Sequence, residues 1–135
     1  MSGILDGIKV LDLSRILAGP YAAQMLSDLG ADVTKIEAPW GDDTRGWGPP
    51  FTTDFDGERV AAYFLCCNRG KTIVQMNLKE EKERLMDMIA NADVVLENFK
   101  PGTLERIVGT LPKDTIICSI SGSVSYTHLT LPTKA

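Results

Sequence analysis

The hydrophobic and polar positions of the first forty residues predict a strand, a helix and a second strand. Residues 8–13 are apolar and β-branched enough to form a buried strand. Residues 21–29 carry apolar side chains at three- and four-residue spacing, which predicts a helix that starts at Pro20 and stops at Gly30. Residues 31–37 form the second predicted strand. Strand, helix and strand joined by tight turns make a βαβ unit with parallel strands and a right-handed crossover.

The same alternation continues further along the chain. Strands are predicted at residues 72–76, 94–96 and 115–120, and helices at 79–91 and 101–107. Repeated strand-helix alternation predicts an α/β fold: a Rossmann-like, mostly parallel sheet with flanking helices.

A long segment, residues 38–57, interrupts this pattern and is rich in Gly, Pro and Asp. A loop of this length in a compact domain is typically functional or a linker. Arg45 and Trp47 favour a contact surface, and a surface loop pinned by one buried Trp is an equal alternative.

Composition narrows the class of protein. The chain has 135 residues, of which 44% are hydrophobic and 24% charged, as is usual for a globular protein. Its net charge of -4 argues against nucleic acid as a partner. His128 is the one histidine and the three cysteines follow no metal-binding spacing, so histidine-based catalysis and metal sites are not expected. The N-terminus does not resemble a secretory or transit peptide, and no apolar run is long enough to span a bilayer. We therefore expect a cytoplasmic protein with no membrane partner.

An α/β sheet binds ligands beyond the carboxyl ends of its strands. Four segments occupy such positions, and we expect residues 14–20, 37–39, 76–79 and 97–102 to converge on one crevice. The first lacks G-x-G-x-x-G, and no P-loop motif occurs. The helix starting at Pro20 still offers free N–H groups to an anionic ligand.

Several side chains near these turns have two interpretations. Singly, each basic residue reads as a solvated surface charge; together they form a set that could pair with phosphates. The set is Lys71, Lys79, Lys100 and Arg106. Asn98 and Phe99 directly follow a strand, where they could meet a ligand or serve as an Asx turn and a core anchor. Cys66 and Cys67 read as packed residues rather than reactive thiols.

Five stretches resemble the family III CoA-transferases of the CaiB/BaiF type, in the order and spacing of that family. They are LDGIKVLDLSRILAGPYAAQMLSDLGADVTKIEAP, GDDTRGWGPPF, YFLCCNRGK, ADVVLENFKPGTLERI and IICSISG. The resemblance implies transfer of CoA from an acyl-CoA donor to a carboxylic acid acceptor through an aspartyl-CoA intermediate. Acyl-CoA and a small carboxylic acid are then substrates, and no permanently bound cofactor or metal is implied.

The resemblance also implies which residues contact CoA. Ile16, Leu17 and Ala18 match a first contact loop, residues 76–79 (Met76, Asn77, Leu78 and Lys79) a second, and Asn98, Phe99 and Lys100 a third. Arg106 occupies a further CoA-binding position, and Ala38 stands where some members carry an arginine that holds the nucleotide end. No catalytic residue is assigned, because the family's nucleophilic aspartate comes further along than Gly122.

Residues 123–135 depart from the family pattern. We interpret residues 1–122 as the N-terminal, CoA-binding segment of a truncated family member, and residues 123–135 as a non-homologous tail that is unstructured or artefactual. We expect the segment alone to be inactive because the nucleophilic aspartate is absent. Full-length members are interlocked homodimers, so we also expect the segment to be prone to aggregation through exposed apolar surface. The loop GDDTRGWGPPF is closest to members acting on dicarboxylates. An acyl-CoA racemase of the same superfamily and a non-catalytic CoA- or nucleotide-binding module are the alternatives.

Overall fold

The computed structural model of the protein describes residues 3–122, so the predicted tail at 123–135 lies outside the described residues. Seven strands and four helices alternate in this range, with one 3-10 turn at Asp43–Gly46. The strands are β1 (Lys9–Asp12), β2 (Asp32–Glu37), β3 (Phe51–Thr53), β4 (Arg59–Ala61), β5 (Thr72–Gln75), β6 (Val94–Glu97) and β7 (Ile116–Ser119). The helices are α1 (Ala18–Asp28), α2 (Ala62–Leu65), α3 (Lys82–Ala90) and α4 (Thr103–Val108).

Five strands form one parallel sheet in the order β5-β2-β1-β6-β7. Val10 of β1 lies opposite Val33 of β2 on one side and Val94 of β6 on the other. The chain therefore builds outward from β1 in both directions, and the order of strands reverses between β1 and β6. This confirms the predicted Rossmann-like α/β fold, in which a ligand crevice forms at such a reversal.

Alternate residues of each strand face opposite sides of the sheet, and each side is covered by helices. Val10, Val33 and Leu96 pack with Ala23 of α1 on one side. On the other side, Leu11 and Val95 pack against α3 and α4, with Leu85 and Leu104 fully buried. This two-sided burial explains why the central strands β1 and β6 read as continuous apolar runs in the sequence. The edge strands β5 and β7 are largely exposed.

The predicted helix boundaries shift by two or three residues. Helix α1 begins at Ala18, so Pro20 is its third residue and not its first. This is tolerated because the N–H groups of the first turn have no intrahelical acceptor. Helix α3 begins at Lys82 and not at residue 79, because Asn77 forms a separate turn by accepting backbone hydrogen bonds from Glu80 and Glu81.

The segment predicted as an irregular loop, residues 38–57, is partly regular. Its end forms a hairpin in which β3 pairs antiparallel with β4, Phe51 lying opposite Ala61. The Asp54 carboxylate closes the turn by accepting hydrogen bonds from the backbone N–H groups of Asp56 and Glu58, at 3.0 and 2.8 Å. Gly57 takes the positive φ of 85° that the turn requires. Strands of three residues are too short to show an alternating pattern in the sequence.

Candidate functional site

A cavity of about 420 Å³ lies where four strands of the parallel sheet end, and we call it the strand-end cavity. Each of the four segments predicted to converge contributes to it: Arg15 after β1, Ala38 after β2, residues 76–79 after β5 and Phe99 after β6. Its remaining lining is largely apolar, from Leu13, Ile36, Trp40 and Ile107. The topology thus brings Ala38, Met76, Asn77, Leu78, Lys79 and Phe99 together, as predicted.

A second cavity, of about 750 Å³, lies beside the first, and we call it the α1 cavity. It is lined by Ala18 at the start of α1, by residues 98–101, and by residues 120–122 after β7. Phe99 lines both cavities. The two cavities therefore share a wall at the position where the order of strands reverses, and Asn98 and Lys100 join the group there.

Three predicted site residues line neither of these two cavities. Ile16 is half-buried in the loop between β1 and α1, which we call the β1–α1 loop (residues 13–17), with a positive φ of 75°. Leu17 is exposed at the start of α1, and Arg106 is exposed on α4, next to Ile107 of the strand-end cavity.

Side chains from several elements hold the backbone of the β1–α1 loop. Asn98 forms two hydrogen bonds with Arg15: its Oδ1 accepts from the Arg15 N–H at 3.0 Å, and its Nδ2 donates to the Arg15 carbonyl at 2.7 Å. The Asp12 carboxylate accepts from the Ser14 N–H at 2.9 Å. The amide of Asn98 thus joins the β6–α4 turn to the β1–α1 loop. It bonds a residue distant in the chain and does not form the Asx turn that was the alternative.

Lys35 is fully buried beneath the same loop, a position that sequence reasoning missed. Its ammonium group donates to the Ser14 carbonyl at 2.9 Å and pairs with Asp42 at 3.1 Å. Burial raises the pKa of Asp42, but hydrogen bonds from Thr44 and the Lys35 charge outweigh it, so the pKa lies below its usual value. The lowered pKa favours the ionised form of Asp42, and the ion pair ties β2 to the 3-10 turn.

Lys71, predicted as a surface charge or a phosphate ligand, is neither. Its ammonium group is buried and donates to three acceptors: Asp12 at 2.7 Å, and the Pro20 carbonyl and Asn68 Oδ1 at 2.8 Å each. Burial lowers the pKa of Lys71, and the Asp12 carboxylate opposes that shift. Because all three donors are used within the protein, Lys71 has none left for a ligand.

Arg45 also points inward. Its guanidinium forms two hydrogen bonds to the buried Glu37 carboxylate, at 2.8 and 2.7 Å, and lies 3.9 Å from the centre of the Phe64 ring. Trp47 is 48% exposed and packs edge-on against Tyr63. The surface-contact prediction fails for Arg45, and the buried-Trp alternative fails for Trp47.

Trp40 is the aromatic residue that sequence reasoning missed. Its side chain is 75% exposed and lines the strand-end cavity. The available signal was its place directly after residues 37–39, the segment predicted to face the crevice.

Of the two cysteines predicted to be packed, Cys67 is buried and Cys66 is not. Burial raises the pKa of the Cys67 thiol to about 11, so it stays protonated at neutral pH. Its Sγ lies 3.5 Å from the Ile16 carbonyl, a weak hydrogen bond to the β1–α1 loop. Cys66 is exposed and free. Within residues 3–122 no helix has the length and apolar character needed to cross a membrane.

Comparison with known proteins places these features in a family. The family model for CoA-transferase family III matches residues 5–115. The chain is 48% identical over 106 residues to succinyl-CoA:mesaconate CoA-transferase of Haloarcula marismortui, covering 77% of this chain and 26% of that protein. It is 47% identical over 128 residues to succinate–glutarate CoA-transferase of Agrobacterium fabrum, covering 87% of this chain and 32% of that one.

A solved structure agrees with the sequence comparisons. The crystal structure of a CaiB/BaiF family protein from Brucella suis superimposes with a TM-score of 0.84 at 48% identity, covering 91% of this chain and 34% of that one. The chain thus spans about a quarter to a third of the length of these relatives. By its sequence and its fold, the chain belongs to CoA-transferase family III.

Proposed function

We propose that this chain forms the CoA-binding part of an enzyme that transfers CoA from an acyl-CoA donor to a carboxylic acid acceptor. The observation that carries the proposal is the strand-end cavity, in which residues of four separate segments meet in a chain of this family. A Rossmann-like sheet presents such a crevice to phosphorylated ligands.

The two cavities match the chemistry of CoA, which joins an aromatic base and phosphates to a long thiol arm. Trp40 and Phe99 supply ring faces for the base or the arm in the strand-end cavity. Lys79 and Lys100 are exposed at the rims of the two cavities and supply cations for phosphates. Arg106 on α4 adds a third cation near the strand-end cavity, and the amino end of α1 adds free N–H groups near the other.

In the proposed reaction an aspartate outside residues 1–122 attacks the acyl carbonyl of the donor, forming a mixed anhydride and releasing CoA thiolate. The thiolate attacks the aspartyl carbonyl, which forms aspartyl-CoA and releases the donor acid. The acceptor carboxylate then attacks aspartyl-CoA, giving a second anhydride and thiolate. Attack of that thiolate on the acceptor carbonyl yields the new acyl-CoA and regenerates the aspartate. The described residues hold CoA while these steps occur.

Three finer features belong to the same proposal. The acceptor is a dicarboxylate, because relatives with 47–48% identity are named for mesaconate and glutarate transfer. The full-length protein is an interlocked homodimer that works in the cytoplasm. These relatives are transferases by name, which favours transfer over the racemase alternative.

Calorimetric titration of the 135-residue chain with CoA tests the proposal. We expect binding without turnover of succinyl-CoA and glutarate, since the nucleophile is absent. Lys79→Met removes a cation at the rim of the strand-end cavity and should weaken CoA binding about tenfold, equivalent to about 1.4 kcal/mol. Lys82→Met, which removes an exposed lysine of α3 that lines neither cavity, is the matched control. No heat of binding at millimolar CoA, or equal effects of the two variants, would refute CoA binding at this cavity.

A further inference from the structure

We propose that the buried Lys35–Asp42 ion pair is a positioning device that holds the β1–α1 loop in its CoA-binding shape. The inference rests on the proposed function, because its effect is on CoA binding. It names two residues that touch neither cavity and act through the loop alone.

The geometry of the pair leads directly to the loop. The Lys35 ammonium group donates to the Ser14 carbonyl at 2.9 Å while it pairs with Asp42 at 3.1 Å. The Asp42 oxygen that pairs with Lys35, Oδ2, also accepts a long hydrogen bond of 3.4 Å from the Ile16 N–H. The two charges thus hold a carbonyl and an N–H group on either side of Arg15.

The loop needs this support because of its backbone conformation. Ile16 is a β-branched residue at a φ of 75°, in the left-handed region that such side chains rarely adopt. A conformation of this kind persists only where its surroundings enforce it. Asn98 holds Arg15 from the other side of the loop, so Lys35, Asp42 and Asn98 together fix three consecutive residues that precede Leu17 and Ala18.

Asp42 is itself held rigidly. Its Oδ1 accepts hydrogen bonds from the Thr44 N–H at 3.0 Å and the Thr44 hydroxyl at 2.8 Å. Its own N–H donates to the Glu37 carboxylate at 3.1 Å. The 3-10 turn therefore presents Asp42 in one orientation, and the loop takes its position from β2 through this turn.

Three variants of the 135-residue chain test the inference by CoA titration and thermal unfolding. Lys35→Met removes the donor to Ser14 and should weaken CoA binding at least about tenfold, or about 1.4 kcal/mol. Arg69→Gln is the control, because it breaks the Arg69–Asp28 ion pair at the far end of α1 and leaves the loop, the 3-10 turn and Glu37 untouched. It should change the CoA dissociation constant less than about twofold.

The double variant Lys35→Met/Asp42→Asn separates positioning from stability. It removes both charges, so it should regain much of the melting temperature that Lys35→Met loses. Methionine still cannot donate to the Ser14 carbonyl, so CoA binding should stay weak. Recovery of CoA binding in step with the melting temperature would overturn the positioning role.

Hydrogen exchange keeps the inference separate from the proposed function. Amide exchange across residues 14–18 should accelerate in Lys35→Met and remain unchanged in Arg69→Gln, whether or not CoA is present. If the unaltered chain binds no CoA, the proposed function fails while exchange still decides whether the pair holds the loop. Equal exchange in all variants would refute the inference even if CoA binds.

Discussion

At the scale of single residues, the unusual feature is that two lysine ammonium groups, those of Lys35 and Lys71, lie inside the protein. Each is paired with a buried carboxylate and donates to a backbone carbonyl around the start of α1. Removing one member of such a pair leaves a buried charge without a partner. The resulting loss of folding stability is much larger than the net stabilisation that the intact pair provides.

Lys71→Met should lower the free energy of unfolding by about 3–5 kcal/mol, because the buried Asp12 side chain loses its cationic partner. Urea denaturation followed by circular dichroism measures this change. Lys79→Met, at an exposed site after β5, should change the free energy of unfolding by less than about 0.5 kcal/mol. Similar losses for the two variants would mean that Lys71 is not the buried partner described above.

Sequence patterns revealed the main elements but not these two lysines. Period and composition locate the strands of the parallel sheet, most clearly β1 and β6, whose side chains are mostly buried and whose apolar runs are continuous. A lysine in such a run reads as a surface residue unless its partner is known. The partner of Lys35 is Asp42 and that of Lys71 is Asp12, 7 and 59 residues away in the chain, and only the folded topology brings them together.

At the scale of elements, helix α1 lies so close to the β1–α1 loop that one of its residues must be glycine. A Cβ on Gly19 would collide with the side chain of Ser14, whose hydroxyl is hydrogen-bonded to Asp12. Ser14 and Gly19 are both buried. The approach of the helix to the loop is therefore fixed by the absence of a side chain at this position.

Gly19→Ala should destabilise the protein by about 1–3 kcal/mol, the usual cost of forcing an extra methyl group into a packed site. Thermal unfolding monitored by circular dichroism measures the loss. Gly46→Ala is the control, since no described heavy atom beyond its chain neighbours lies within 4 Å of the added Cβ. An unchanged melting temperature in Gly19→Ala would show that the helix can shift without cost.

Part of the candidate site could be predicted from the sequence and part could not. Residues 76–79 and Phe99 follow strands directly, so their meeting in the strand-end cavity follows from the parallel sheet alone. The hairpin depends on backbone pairing of β3 with β4, and the inward course of Arg45 depends on the Glu37 carboxylate at the end of β2. No local pattern encodes such contacts.

At the scale of the whole molecule, the described residues leave apolar surface uncovered. Trp40 is 75% exposed and Phe55 fully so. Ile116, on the edge strand β7, is 65% exposed. An edge strand with exposed apolar side chains is a site of association between chains.

We expect the isolated chain to self-associate at concentrations of tens of micromolar, as measured by light scattering coupled to size-exclusion chromatography. Ile116→Lys should reduce association by placing a charge on the sheet edge. Thr53→Lys, on an exposed position of the short hairpin, should have little effect. A monodisperse monomer with a cooperative melting transition would contradict this expectation.

The support of the β1–α1 loop by Asp12, Lys35, Asp42 and Asn98 has a consequence for exchanging parts between homologous enzymes. These residues come from four places in the chain that are up to 86 positions apart. A chimera that imports residues 13–17 without Lys35, Asp42 and Asn98 would carry the loop's sequence but would not hold its conformation. Transferring this loop to a homologue therefore requires that the partner residues be transferred with it.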